Sequence, residues 1–120
     1  MTDQLKIVFL GTGAATPSLK RGLPALALVR ENKVVLCDCG EGTQLQVLRA
    51  GLSTSKIHSI CISHLHGDHI FGLPGFITSQ QLFGRTAPLT IYGPPGISDY
   101  MNAIADIAKY KIDFPLKVLE

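Results

Sequence analysis

A chain of 120 residues is the size of one domain, and with 46% hydrophobic and only 17% charged residues it can bury a core, which excludes the disordered class. Eleven Lys and Arg against nine Asp and Glu leave a net charge of +2, too small a bias to argue by itself for a nucleic-acid or membrane partner. Three cysteines, Cys37, Cys39 and Cys61, are an odd number that fits free thiols in a reducing compartment better than a disulfide framework.

In chain order, residues 5–10 (LKIVFL) read as a strand that stops at Gly11-Thr12-Gly13. The apolar run inside it is four residues long, far short of a signal core or a membrane span, so a cytoplasmic protein with no membrane attachment is expected. Residues 16–22 (TPSLKRG) carry Pro, Ser, Gly and two adjacent cations, the composition of an exposed loop. Strands are expected again at 25–29 and 34–37, joined by a polar turn at 30–33. Thr43 is placed to cap a short helix whose apolar side is Leu45, Val47 and Leu48, with Gly51 as its stop. Alternation predicts a strand over 57–63, helical spacing a helix over 76–83, and a short apolar run a strand over 89–92. Ser98 is the expected cap of a last helix, and 112–119 reads as a strand. Strands first, then strand and helix in alternation, predict an α/β layered domain with a mixed sheet and flanking helices.

The chemistry is concentrated in His64-Leu65-His66-Gly67-Asp68-His69, where three of the four histidines fall within six positions. Residues two apart in an extended segment share a side, so His64 and His66 can grip one ion. A turn at Gly67 then carries Asp68 and His69 to a neighbouring position. Imidazole with carboxylate suits zinc, with manganese or iron as substitutes. His58 stands alone in a strand-like segment and is given no role; Cys37 and Cys39 read as packing groups. Asp38, between a buried strand and Gly40, is either a turn former or a group that orients a histidine ligand. On residue type alone, Lys20 and Arg21 are a solvated pair, and Gly11-Thr12-Gly13 is as readily a tight strand exit as a phosphate cradle.

The run His64 to His69 resembles the His-x-His-x-Asp-His signature of the metallo-β-lactamase superfamily. Three further blocks narrow the likeness to the ribonuclease Z family, the tRNA 3′-processing endonucleases. They are Gly11-Thr12-Gly13, Asp38-Cys39-Gly40-Glu41-Gly42-Thr43-Gln44, and the Gly72-Leu73-Pro74-Gly75 that follows the histidines. The resemblance extends over essentially all 120 residues, through Tyr92-Gly93-Pro94.

The resemblance implies an αββα sandwich, of which residues 1–120 would be the N-terminal half, with two zinc ions at one edge. His64 and His66 would hold the first ion and Asp68 and His69 the second; Asp68 would also accept a proton, and Asp38 would support the ligands from behind. The implied reaction is hydrolysis of precursor tRNA after its discriminator base by a metal-activated hydroxide, leaving a 3′-hydroxyl, in an enzyme that is often a homodimer. The family's loop motif Pro-x-Lys-x-Arg-Asn appears here as Pro17-Ser18-Leu19-Lys20-Arg21-Gly22, which makes Pro17, Lys20 and Arg21 a candidate substrate loop although Leu19 and Gly22 depart from the motif. The family's other metal ligands, its general-acid pair and its tRNA-gripping arm would lie beyond Glu120. The four donors present should then bind metal weakly, and the half-sandwich should self-associate through an open apolar face. Two alternatives are another hydrolase of the superfamily, acting on phosphodiesters, aryl sulfates or thioesters, and a non-catalytic metal-binding fragment.

Overall fold

Six strands lie side by side in the order in which the chain makes them. The structure is a computed structural model and describes residues 4–16 and 18–120. Strands β1 (Leu5–Gly11), β2 (Ala25–Arg30) and β3 (Lys33–Cys37) form an antiparallel meander. Strands β4 (Ile57–Cys61), β5 (Leu89–Tyr92) and β6 (Leu116–Leu119) then continue parallel to β3. Parallel neighbours cannot be joined by a hairpin, so each needs a crossover. Helix α1 (Thr43–Arg49) lies between β3 and β4, α2 (Gly67–Ile70) and α3 (Leu73–Leu82) between β4 and β5, and α4 (Ile97–Ala108) between β5 and β6. The expected mixed sheet with flanking helices is present.

The two faces of the sheet differ. Leu10, Ala27, Leu36, Ile60 and Ile91 are buried in one cluster with Val47 of α1, Phe76 and Ile77 of α3, and Ile97 and Met101 of α4. On the other face the register joins Phe9, Leu26, Cys37, Cys61, Tyr92 and Leu119 into one row across all six strands. There Leu5, Ile7 and Phe9 of β1 are 62%, 57% and 70% exposed.

Several boundaries move from their expected places. Thr43 opens α1 but does not cap it: Gly42 precedes it in the left-handed region, and the buried Thr43 hydroxyl donates instead to Gly40 O at 2.7 Å. Ser98 is likewise no cap. Gly96 stands at the start of α4, and the carboxylate of Glu120 accepts from Gly96 N and Ser98 N, so the cap comes from 22 and 24 residues away. Helix α3 starts at Leu73, where Pro74 sits in the first turn and needs no intrahelical donor bond. The last strand is only Leu116–Leu119, because Phe114 turns into the core ahead of Pro115.

At the end of the sheet where β4 and β5 begin, Arg85 ties the chain together. Its guanidinium donates to Ile57 O (2.7 Å), Ala87 O (2.8 Å), Pro88 O (2.9 Å), Gln80 Oε1 (3.1 Å) and Thr54 O (3.3 Å). It stands 5.6 Å from the centre of the Phe114 ring, and burial lowers its pKa.

Candidate metal centre

The loops that leave the C-terminal ends of β3 and β4 meet at the opposite end of the sheet, where open α/β sheets place their ligands. Asp38 follows β3 directly and has φ of 61°, so the strand direction breaks there. That break leaves Cys37 half-buried on the open face while Cys39 is fully buried in the core. Asp38 N donates to Cys61 O at 2.8 Å, Cys39 N to His69 O at 2.8 Å, and Gly72 N to Cys39 O at 2.9 Å. These bonds press two stretches of backbone together. A Cβ on Gly72 would lie 2.1 Å from Gly40 O, and one on Gly40 would lie 2.5 Å from Asp68 O, which accounts for glycine at both positions.

Asp38 then organises the side chains. One carboxylate oxygen accepts from His69 Nδ1 at 2.9 Å and the other from Ser63 N at 2.8 Å. Ser63 Oγ lies 2.9 Å from each oxygen and 3.0 Å from His64 Nδ1. An ionised carboxylate only accepts, so His69 carries its proton on Nδ1. The single Ser63 hydroxyl proton goes to Asp38, which leaves Oγ to accept from His64 Nδ1–H. One aspartate thus fixes the tautomer of two imidazoles, one directly and one through a serine, and both keep the Nε2 lone pair for a ligand.

Donor atoms of His64, Asp68 and His69 lie within 4.8 Å of one another. Asp68 Oδ2 is 3.5 Å from His69 Nε2 and accepts from Ala15 N at 3.2 Å, which pins the loop after β1 to the centre. Ring centres of His64 and His69 are 3.9 Å apart. Two imidazoles and a carboxylate with pre-set tautomers fit a zinc-type ion, which takes three protein ligands and leaves one position open in catalytic sites.

The remaining sequence candidates lie as follows. The His66 ring stands edge-on to His64 with centres 4.7 Å apart, but His66 is outside the three-donor group. Asp38 sits behind His69, half-buried. Lys20 and Arg21 are exposed on the loop that Ala15 ties to Asp68, and Pro17 lies outside the described residues. His58 is exposed, with Nδ1 paired to Ser59 Oγ at 2.8 Å. Burial raises the pKa of the Cys37 and Cys61 thiols, with smaller contributions from neighbouring charge, and pushes that of Cys39 up to about 12. All three cysteines are free. Two participants had no role in the sequence reading: Ser63, whose signal was its place directly before His64, and the main-chain N–H of Ala15, which carries no residue-type signal.

Residues 5–103 match the family model described as "Anti-Pycsar protein Apyc1". The chain is 47% identical over 119 residues to ribonuclease Z of Enterococcus faecalis, covering 97% of this chain and 38% of that protein. It is 45% identical over 120 residues to ribonuclease Z of Picrophilus torridus, covering all of this chain and 39% of that protein. Among solved structures, the short form of human tRNase Z superposes with a TM-score of 0.85 at 40% identity, over 95% of this chain and 46% of that one. The metallo-β-lactamase fold protein YhfI of Bacillus subtilis matches with a TM-score of 0.75 at 20% identity, over 98% of this chain and 45% of that one, a likeness of fold. The chain spans well under half the length of the curated relatives it matches.

Proposed function

Because the chain belongs to the ribonuclease Z family by its likeness to those relatives over nearly its whole length, we propose that its protein is a zinc-dependent endoribonuclease of tRNA 3′-end maturation. It cuts precursor tRNA at the phosphodiester after the discriminator base. The observation that carries this reading is the Asp38 network, which holds two imidazoles by their Nδ1 atoms and leaves their Nε2 atoms free beside Asp68, in a group whose donors lie within 4.8 Å of one another. Such an arrangement has no use in a surface turn, because it spends a carboxylate to keep two lone pairs unspent.

His64, His66, Asp68 and His69 would hold the metal; the proximity of His64, Asp68 and His69 supports one ion shared by these three, in place of the pairing of His64 with His66 expected from the sequence, with His66 beside them for a second. When bound, the metal supplies Lewis-acid activation of a water molecule and neutralises charge at the phosphodiester. Asp68 is the proton acceptor, held in place by Ala15 N. Pro17, Lys20 and Arg21 belong to the loop that receives the RNA.

Residues 1–120 supply the N-terminal part of a metallo-β-lactamase-fold domain, and a second layer covers the row from Phe9 to Leu119. The length of the curated relatives and the exposure of β1 support this arrangement. The enzyme works as a homodimer in the cytoplasm. Free thiols support a reducing compartment, and among the described residues no helix is long and apolar enough to cross a membrane.

The test is incubation of the native protein and zinc with a precursor tRNA that carries a 3′ trailer. The expected product ends in the discriminator base with a 3′-hydroxyl. Turnover of small phosphodiesters or thioesters with the precursor left intact would instead identify another hydrolase of the superfamily.

A further inference from the structure

A cavity of about 450 Å³ lies away from the histidines, between the loop after β1 and helix α1. Three cations line it, Lys20 and Arg21 from the loop and Arg49 from the last turn of α1, together with Ser18 and Gln46 and no carboxylate. None of the three cations has an acidic partner among the described residues. Side chains of like charge around one cavity repel one another unless an anion lies between them. Two hydrogen bonds hold the described parts of the loop: Gly13 N donates to Gly22 O at 2.8 Å, and Arg21 N donates to Ser18 Oγ at 3.0 Å. Its other end is the Ala15 N–H that holds Asp68. Arg21 is six positions after Ala15, so its Cα lies within about 22 Å of that of Ala15 even if the chain were fully extended.

We infer that this cavity is a phosphate subsite, in which Arg49 and Gln46 of α1 face Lys20 and Arg21 and bind an RNA backbone phosphate displaced from the one that is cut. A single loop then connects the two phosphate positions, one at Asp68 and one at Arg21. Arg49 lies outside every motif that identified the family and is the residue this inference adds. The guanidinium suits the role because it presents a planar donor fork to phosphate oxygens. The inference rests on the RNA reading above.

The experiment compares Arg49→Gln and Arg49→Lys with the parent in the native zinc-loaded protein. Arg49→Gln should raise KM for precursor tRNA roughly tenfold more than it impairs turnover of bis(p-nitrophenyl) phosphate, which has no second phosphate. It should also make the log–log dependence of RNA affinity on salt shallower by about one unit. Arg49→Lys, which keeps the charge, should restore most of that slope. A parental KM and salt slope in Arg49→Gln would overturn the subsite and leave the endonuclease reading standing. Equal losses on tRNA and on the small diester would also overturn it, because the effect would then run through the metal centre. A parent that leaves precursor tRNA uncut, yet binds RNA with a slope that Arg49→Gln reduces, would remove the processing reading and keep the subsite.

Discussion

Two polar hubs stand at opposite ends of the same parallel strands, and they are built in opposite ways. Arg85, where β4 and β5 begin, donates to five oxygens of the protein, four of them main-chain carbonyls. Asp38, where β3 ends, also gathers several partners, but through them it holds His69 directly and His64 by way of Ser63, and each histidine keeps its second nitrogen unspent. A closed hub lowers the energy of the fold and offers nothing to a ligand. An open hub gives up part of that gain to hold lone pairs in place, which is what a metal-binding site requires.

The strongest break in this comparison is Asp68→Ala in the native protein. Cleavage of precursor tRNA should fall on the order of a thousandfold while RNA binding holds, as removal of a proton acceptor does. Single-turnover assays at saturating enzyme would show it, and near-parental cleavage would take Asp68 out of the chemistry. Arg85→Ala comes next and should act on the fold alone. Losing a charged donor that serves four carbonyls should cost about 3 kcal/mol in urea denaturation, with zinc affinity at the parental value. Asp38→Ala should invert that pattern. Zinc affinity should drop about 10- to 100-fold, because His64 and His69 lose their orientation, while the urea midpoint moves less than in Arg85→Ala. Equal effects of the two substitutions on both readouts would mean that the hubs do not differ in kind.

Much of the open hub was legible in the sequence, because its histidines and Asp68 are packed into six consecutive residues and Asp38 belongs to a motif with recognisable flanks. Ser63 was not, since a serine acquires a role only when a carboxylate 25 residues earlier in the chain is brought to its hydroxyl. The closed hub was invisible for the same reason: nothing in the residues 83–86 (FGRT) announces which carbonyls will surround the arginine. Helix ends failed where the cap was tertiary. Thr43 and Ser98 have the right side chains, but Gly42 and Gly96 supply the backbone conformation, and Glu120 reaches back from the end of the chain to the start of α4. The strands themselves were legible because their apolar runs are bounded by clear turns, whereas their order in the sheet was not read from the sequence. The two-sidedness of the sheet was legible too, because Leu5, Ile7 and Phe9 alternate with Val8 and Leu10.

The smallest effect concerns the one thiol that lies under the open hub. Cys39 follows Asp38 but points into the core, where burial holds its pKa near 12 against an ordinary value of 9. Below pH 9 the folded and unfolded states both keep this proton, so the thiol contributes nothing to the pH dependence of stability. Above pH 9 the unfolded chain releases it and the folded chain does not, so stability falls as pH rises from 9 toward 12. The slope of this contribution is at most about 1.4 kcal/mol per pH unit. Cys39→Ala should cost about 1 kcal/mol at pH 7 through the lost sulfur volume and should flatten the alkaline slope relative to the parent. Urea midpoints at pH 7, 9 and 10 measure both effects. An unchanged slope would mean that the thiol ionises in place, and that the floor of the metal centre is wetter than the burial of Cys39 implies.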